Sequence, residues 1–197
     1  MNIDKPKYSF QREDLNEALQ VLRDGGVILY PTDTIWGLGC DATNKEAVKK
    51  IYDIKRRDDS KALIILVDSE LRMQMYAQKV PNVAWDILDL ATKPTTLILD
   101  GARNLATNLI AEDGSVGIRI TKEEFSQQLC FHFGKAIVST SANISGEPSP
   151  KNFSEISEEI INAVDYVVKY KHSKKYTSQP SSIIKLGERG EVKVIRQ

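Results

Sequence analysis

The chain has 197 residues, and its 27 Lys and Arg balance 27 Asp and Glu, so the formal net charge is zero. That balance excludes a protein that grips nucleic acid over a broad basic face, but leaves room for one local basic cavity. The length predicts one domain over residues 1–197, 41% hydrophobic and 27% charged residues are ordinary for a soluble globular protein, and the two cysteines, Cys40 and Cys130, suit neither a disulfide framework nor a zinc cluster. The N-terminus lacks an apolar core, and no run approaches the ~18 apolar residues of a membrane span. The expectation is a cytoplasmic protein whose thiols sit in a reducing compartment.

In chain order, residues 12–24 predict a helix, with Leu15, Ala18, Leu19 and Leu22 on one face and Gly25-Gly26 as the stop. Residues 27–30 predict a buried strand, ended by Pro31, which has no N–H to donate. The stretch 30–42 reads Tyr-Pro-Thr-Asp-Thr-Ile-Trp-Gly-Leu-Gly-Cys-Asp-Ala. A strand, a polar turn at Thr32, Asp33 and Thr34, two loop glycines and then a helix is the layout of a ligand site at a strand's carboxyl end. The second helix is expected over 45–57. It runs into Lys55, Arg56, Arg57 and Lys61, a cluster that suits a phosphate clamp or, more plainly, a solvated helix C-terminus.

Residues 63–67 form a continuous apolar run, expected as a central strand, and short helices are expected over 70–78 and 83–91. Strands follow at 97–99 and 115–120; Arg119 in the latter needs a partner or a polar cavity. A helix over 122–133 carries Phe125, Leu129 and either His132 or Phe133 on its packed side, with His132 read as an interface histidine. The strand 136–138 then enters Ser139-Thr140-Ser141-Ala142-Asn143, followed by Gly146 and Pro148-Ser149-Pro150. So many hydroxyl and amide groups after an apolar strand suit the holding of phosphate or carboxylate oxygens. A helix over 153–164, a strand over 166–168, a basic loop over 169–175 with His172 solvated, and a last strand over 191–195 complete the chain, whose alternating strands and helices fit an α/β class. No Ser-His-Asp set or Cys-His pair is evident.

These motifs resemble the YrdC (TsaC) family, the threonylcarbamoyl-AMP synthases of tRNA modification. The family pattern is an aromatic, Pro-Thr-acidic-Thr, two residues and Gly-Leu-Gly; this chain matches it, with Trp36 where Tyr is commoner. A Lys-x-Arg with a later Lys matches Lys55, Arg57 and Lys61, although Asp58 and Ala62 stand where the family has Pro. The Ser-x-Asn and Pro-Ser-Pro hallmark matches Ser141, Asn143 and Ser149. Pro180 to Ile184 is similar to the family's Ser-Thr-Ile-Ile element. The largest departure is at Thr92 to Thr96, where only Pro94 and Thr96 remain of Trp-Pro-Gly-Pro-x-Thr.

The resemblance implies a twisted, mixed open sheet with flanking helices around a deep cavity. It implies a nucleotidyltransferase that makes threonylcarbamoyl-AMP and pyrophosphate from L-threonine, bicarbonate or CO₂, and ATP, with a tRNA-modifying carbamoyltransferase downstream. It assigns Thr32, Arg119, Ser139 and Ser181 to threonine, and Lys55, Arg57, Lys61, Ser115, Ser141, Asn143, Ser149 and Arg196 to ATP. Mg²⁺ is expected to arrive with ATP, held by phosphate and water, with Asp33 a candidate for its outer sphere. No side chain is assigned as acid, base or nucleophile, because the carbamate is itself the nucleophile. Two alternatives remain: a YrdC-like RNA-binding module using the basic loop, and a carbamoyl-adenylate enzyme of the hydrogenase-maturation kind, which carries further zinc-finger and acylphosphatase parts.

Overall fold

The computed structural model describes residues 8–57, 63–172, 180–187 and 189–197. Among the described residues nine strands form one mixed sheet: β1 (Ile28–Tyr30), β2 (Gly37–Gly39), β3 (Ile64–Val67), β4 (Thr95–Leu99), β5 (Val116–Ile120), β6 (Ile137–Ser141), β7 (Tyr166–Val167), β8 (Ser182–Leu186) and β9 (Val192–Arg196). Their spatial order is β7-β1-β2-β6-β3-β5-β4-β8-β9. The pairs β1–β7, β3–β5 and β4–β8 are parallel and the other five antiparallel. The expected mixed sheet is therefore present, with the apolar run at β3 placed between β5 and β6.

The helices are α1 (Arg12–Arg23), α2 (Lys45–Lys55), α3 (Glu70–Gln74), α4 (Val83–Leu90), α5 (Glu124–Phe133) and α6 (Glu158–Ala163). Alternation along the strands divides the apolar residues between the sheet's two faces. Leu38, Ile65, Val67, Leu97, Ile118 and Val138 belong to the larger core cluster, with residues of α2, α4 and α6. Ile28, Tyr30, Leu66 and Ile137 join α1 and α5 in the smaller one. The buried Asp14 of α1 ties the two ends of the chain together: its carboxylate accepts from the Tyr166 hydroxyl and from the Lys169 and Tyr170 amides.

Four local expectations change. The glycines of the 30–42 stretch are not loop residues but β2, seated between β1 and β6. A Cβ on Gly39 would lie 2.6 Å from the Tyr30 ring, so only glycine fits there. Helix α2 ends at Lys55, two residues early, because Arg56 turns left-handed with φ 49°. The helix expected over 153–164 is broken: a 3-10 turn at Phe153–Glu155 is followed by extended Ile156, and α6 starts afresh behind Ser157, whose hydroxyl accepts from the Ile160 amide. Finally, His132 is exposed on α5 while Phe133 packs inward. His172 is exposed, as expected, and stacks its ring on Phe153 at 3.7 Å between centroids.

Candidate active site

A cavity of about 500 Å³ opens on the α1/α5 face of the sheet. Its floor comes from residues that strand register places side by side. Gly37 pairs with Ser141, Ile64 with both Ser139 and Gly117, and Thr96 with Ile183. Arg119 lies two residues beyond Gly117 on the same side of β5. A Cβ on Gly37 would stand 3.5 Å from Thr32 Cγ2 and 3.6 Å from Ser139 Oγ. Glycine here keeps the floor open.

Eight of the residues singled out in the sequence line this one cavity: Thr32, Arg57, Arg119, Ser139, Ser141, Ser149, Ser181 and Arg196. They come from six separate parts of the chain. Thr32 is buried; its hydroxyl donates to the Ile35 carbonyl (2.7 Å) and accepts from the Thr34 amide (3.1 Å), which fixes the turn after β1. Ser181 is buried beside Thr96, their hydroxyls 3.2 Å apart. Arg196, at the end of β9, donates from Nε to the Ser181 carbonyl (2.9 Å) and from Nη2 to its hydroxyl (3.2 Å).

Arg119 is 3% exposed, and its Nε lies 3.1 Å from Asp33 Oδ1 without hydrogen-bond alignment. Burial lowers the basicity of Arg119, while the Asp33 charge opposes that shift. Burial likewise pushes the Asp33 carboxyl up, and Arg119 pulls it back. The pair keeps a guanidinium charged at the cavity wall, where an isolated cation would be costly.

Three further expected residues, Lys55, Asn143 and Ser115, lie away from the cavity wall. Lys55 does not line the cavity: it is 1% exposed, and its ammonium donates to the Ser141 and Asn143 carbonyls at 2.5 and 2.6 Å. Burial, with Arg57 nearby, pulls its pKa down to about 8. Asn143 is not at the wall either; its amide donates to the Ile144 and Glu147 carbonyls. Ser115 is buried at the start of β5, donating to Asp113. Lys61 lies outside the described residues. Sequence reasoning missed Thr96, Thr140 and Lys151, which also line the cavity. For Lys151 a signal existed, a cation directly after Pro148-Ser149-Pro150.

The charge pattern is one-sided. Arg57, Arg119, Lys151 and Arg196 line the cavity, with hydroxyls between them and no carboxylate among its described lining residues. Such a wall recognises an anion with many oxygens. Among the described residues no group of three His, Cys, Asp or Glu is placed to hold a metal ion. No described helix is long and apolar enough to cross a membrane.

The Sua5/YciO/YrdC family model, described as telomere recombination, matches residues 20–197. A relative from Pseudoalteromonas translucida, named threonylcarbamoyl-AMP synthase, is 33% identical over 154 residues, covering 77% of this chain and 82% of that one. A solved structure of a P. abyssi Sua5 variant superposes with a TM-score of 0.86 at 25% identity, over 95% of this chain and 57% of that one. A second P. abyssi Sua5 structure, titled as complexed with L-threonine, shares the fold with a TM-score of 0.80 at 24% identity, over 91% of this chain and 52% of that one. The chain thus spans little more than half of those Sua5 chains. With an α/β sheet of this order and an anion-receptive cavity on one face, it is a YrdC-fold protein. The chain belongs to the Sua5/YciO/YrdC family.

Proposed function

We propose that this protein is a threonylcarbamoyl-AMP synthase, a nucleotidyltransferase joining L-threonine, bicarbonate or CO₂, and ATP. One observation carries the reading. The cavity brings four cations and a set of hydroxyls together with no carboxylate among its described lining residues, which suits a triphosphate and an amino-acid carboxylate. The P. translucida relative's name supplies the particular product.

In this reading Arg119 holds the threonine carboxylate through the guanidinium nitrogens not facing Asp33. Thr32, Ser139 and Ser181 surround the rest of the amino acid. Arg57, Arg196 and Lys151 offset the triphosphate charge, with Ser141 and Ser149 accepting or donating hydrogen bonds at its oxygens; Lys61 belongs to the same group by sequence. Lys55 and Asn143 act through the loop between them and Ser141, and Ser115 through the start of β5. The threonine amine and CO₂ give a carbamate, whose oxygen attacks the α-phosphorus and expels pyrophosphate. Mg²⁺ bound with the triphosphate would supply charge neutralisation for the pyrophosphate leaving group. The cavity's hydroxyls and cations suit an ion held chiefly by phosphate and water; Asp33 is committed to Arg119 and could approach it only through water. The acyl group is then passed to tRNA by a separate enzyme. Neither acid-base nor covalent catalysis by a side chain is needed, since proximity and charge stabilisation do the chemistry.

The test is product identity. Incubation with ATP, isotopically labelled L-threonine and labelled bicarbonate is expected to give an adenylate that carries both labels in its mass spectrum. An adenylate lacking the bicarbonate carbon, or no adenylate from folded ATP-binding protein, refutes the reading.

A further inference from the structure

A second cavity, of about 550 Å³, lies behind the first. Adjacent residues alternate between the two. Thr96 and Arg119 line the first, Thr95 and Ile120 the second. Neighbours on a strand point to opposite faces, so the cavities sit back to back with the sheet as their wall. The turn after β1 repeats the pattern: Thr32 and Thr34 face the first cavity, Asp33 the second. The Asp33–Arg119 pair, 3.1 Å apart, therefore joins the two through the wall.

The second cavity is chemically unlike the first. Five charged residues line it: Glu70, Asp89 and Lys122 are exposed, while the Asp33 carboxylate, 10% exposed, and the half-buried Lys93 are the two charged groups set deeper. Among the described residues the Lys93 ammonium has no hydrogen-bond or ion-pair partner; only its backbone carbonyl is engaged, by Thr95. The apolar part is Leu88, Ala91, Pro94 and Ile120. Counting back from Pro94 and Thr96, Ala91 stands where the family motif has Trp, so the cavity is lined at that position by a methyl group. Opposite charges select a zwitterion over a simple cation or anion. The size and apolar wall select a large side chain.

We propose that this second cavity is an effector site for a free amino acid with a bulky apolar side chain, its ammonium set on Asp33 and its carboxylate on Lys93. An ammonium on Asp33 competes with Arg119 for that carboxylate. Arg119 then turns more fully to the anion in the first cavity. Occupancy of one cavity thus strengthens binding in the other, and by linkage the effect is reciprocal. The coupling, unlike the site itself, rests on the reading of Arg119 as the threonine carboxylate's partner.

Titration calorimetry of the full chain with L-tryptophan as the probe tests the site. Tryptamine and indole-3-propionate each remove one charged end. The expected result is one-to-one binding of L-tryptophan that saturating L-threonine does not displace. It should weaken about tenfold or more in Lys93→Ala and on loss of either charged end. It should vanish in Ala91→Trp, and in Ala91→Leu should the larger residue prevent folding. In the synthase assay, L-tryptophan should lower the threonine KM about fivefold or more. No binding, binding that survives the filled variants, or displacement by L-threonine overturns the site. Binding with an unchanged threonine KM overturns the coupling. Should synthase activity be absent, the calorimetry still decides the site, so the two readings fail separately.

Discussion

At the scale of single residues, the same charge serves different ends according to where the backbone aims it. Lys55 and Arg57 are two apart, yet Lys55 is the last residue of α2 and reaches under the 141–143 loop, whereas Arg57, past the left-handed turn at Arg56, lines the cavity. Lys55→Met should therefore strand two carbonyls and cost about 1–3 kcal/mol of stability, read from denaturant midpoints. It should raise the ATP KM less than Arg57→Met does; a larger effect than Arg57→Met would return Lys55 to direct phosphate contact. The sign of its pH dependence also follows. The folded pKa, about 8, lies below the ordinary lysine value of 10.5, so the folded state disfavours the charged form. Between those pH values the unfolded chain binds more protons, and stability rises with pH relative to Lys55→Met. A flat difference curve over that window would contradict the buried placement. Arg119→Ala should raise the threonine KM about 10- to 100-fold with a much smaller effect on ATP; equal effects on both would remove it from the carboxylate.

At the scale of elements, β2 shows what the sequence conceals. Gly-Leu-Gly has no β-branched residue and low strand propensity, and its partner β6 lies about a hundred residues further on. Only the assembled sheet makes it a strand. Its two glycines predict separable effects. Gly39→Ala drives a Cβ to 2.6 Å from the Tyr30 ring and should lose about 1–3 kcal/mol in a thermal or denaturant melt. Gly37→Ala meets the Thr140 carbonyl at 3.0 Å but otherwise points at Thr32 and Ser139. It should impair substrate affinity more than stability. Reversed sensitivities would contradict the placement of the cavity floor on β2. The broken helix before α6 was legible: Ser157 followed by Glu158 and Glu159 is an N-cap with acids in the first turn. The helices α1 and α5 and the strands β3 and β5 followed from periodicity alone, because each presents a regular apolar stripe or run to the core. The site was legible as short polar segments after apolar strands. That Thr96 and Lys151 complete it depends on strand order, which no local pattern encodes.

At the scale of the whole molecule, charge is neutral in sum and divided in space. The first cavity collects cations, while the basic loop after β7 is partly spent within the protein. Lys169 stands 3.8 Å from Glu17, and Lys171 pairs with the buried Glu123 at 2.7 Å. An RNA-gripping face is thereby disfavoured. Affinity for tRNA should be weak, with a salt slope equivalent to about one or two phosphates; a slope several times steeper would favour the RNA-binding alternative.

The central claim is tested most directly by pyrophosphate release from ATP by the purified protein, with L-threonine and bicarbonate each supplied or withheld. The account predicts release only when both are present. Release that ignores threonine, or none from folded protein that binds ATP, would contradict it.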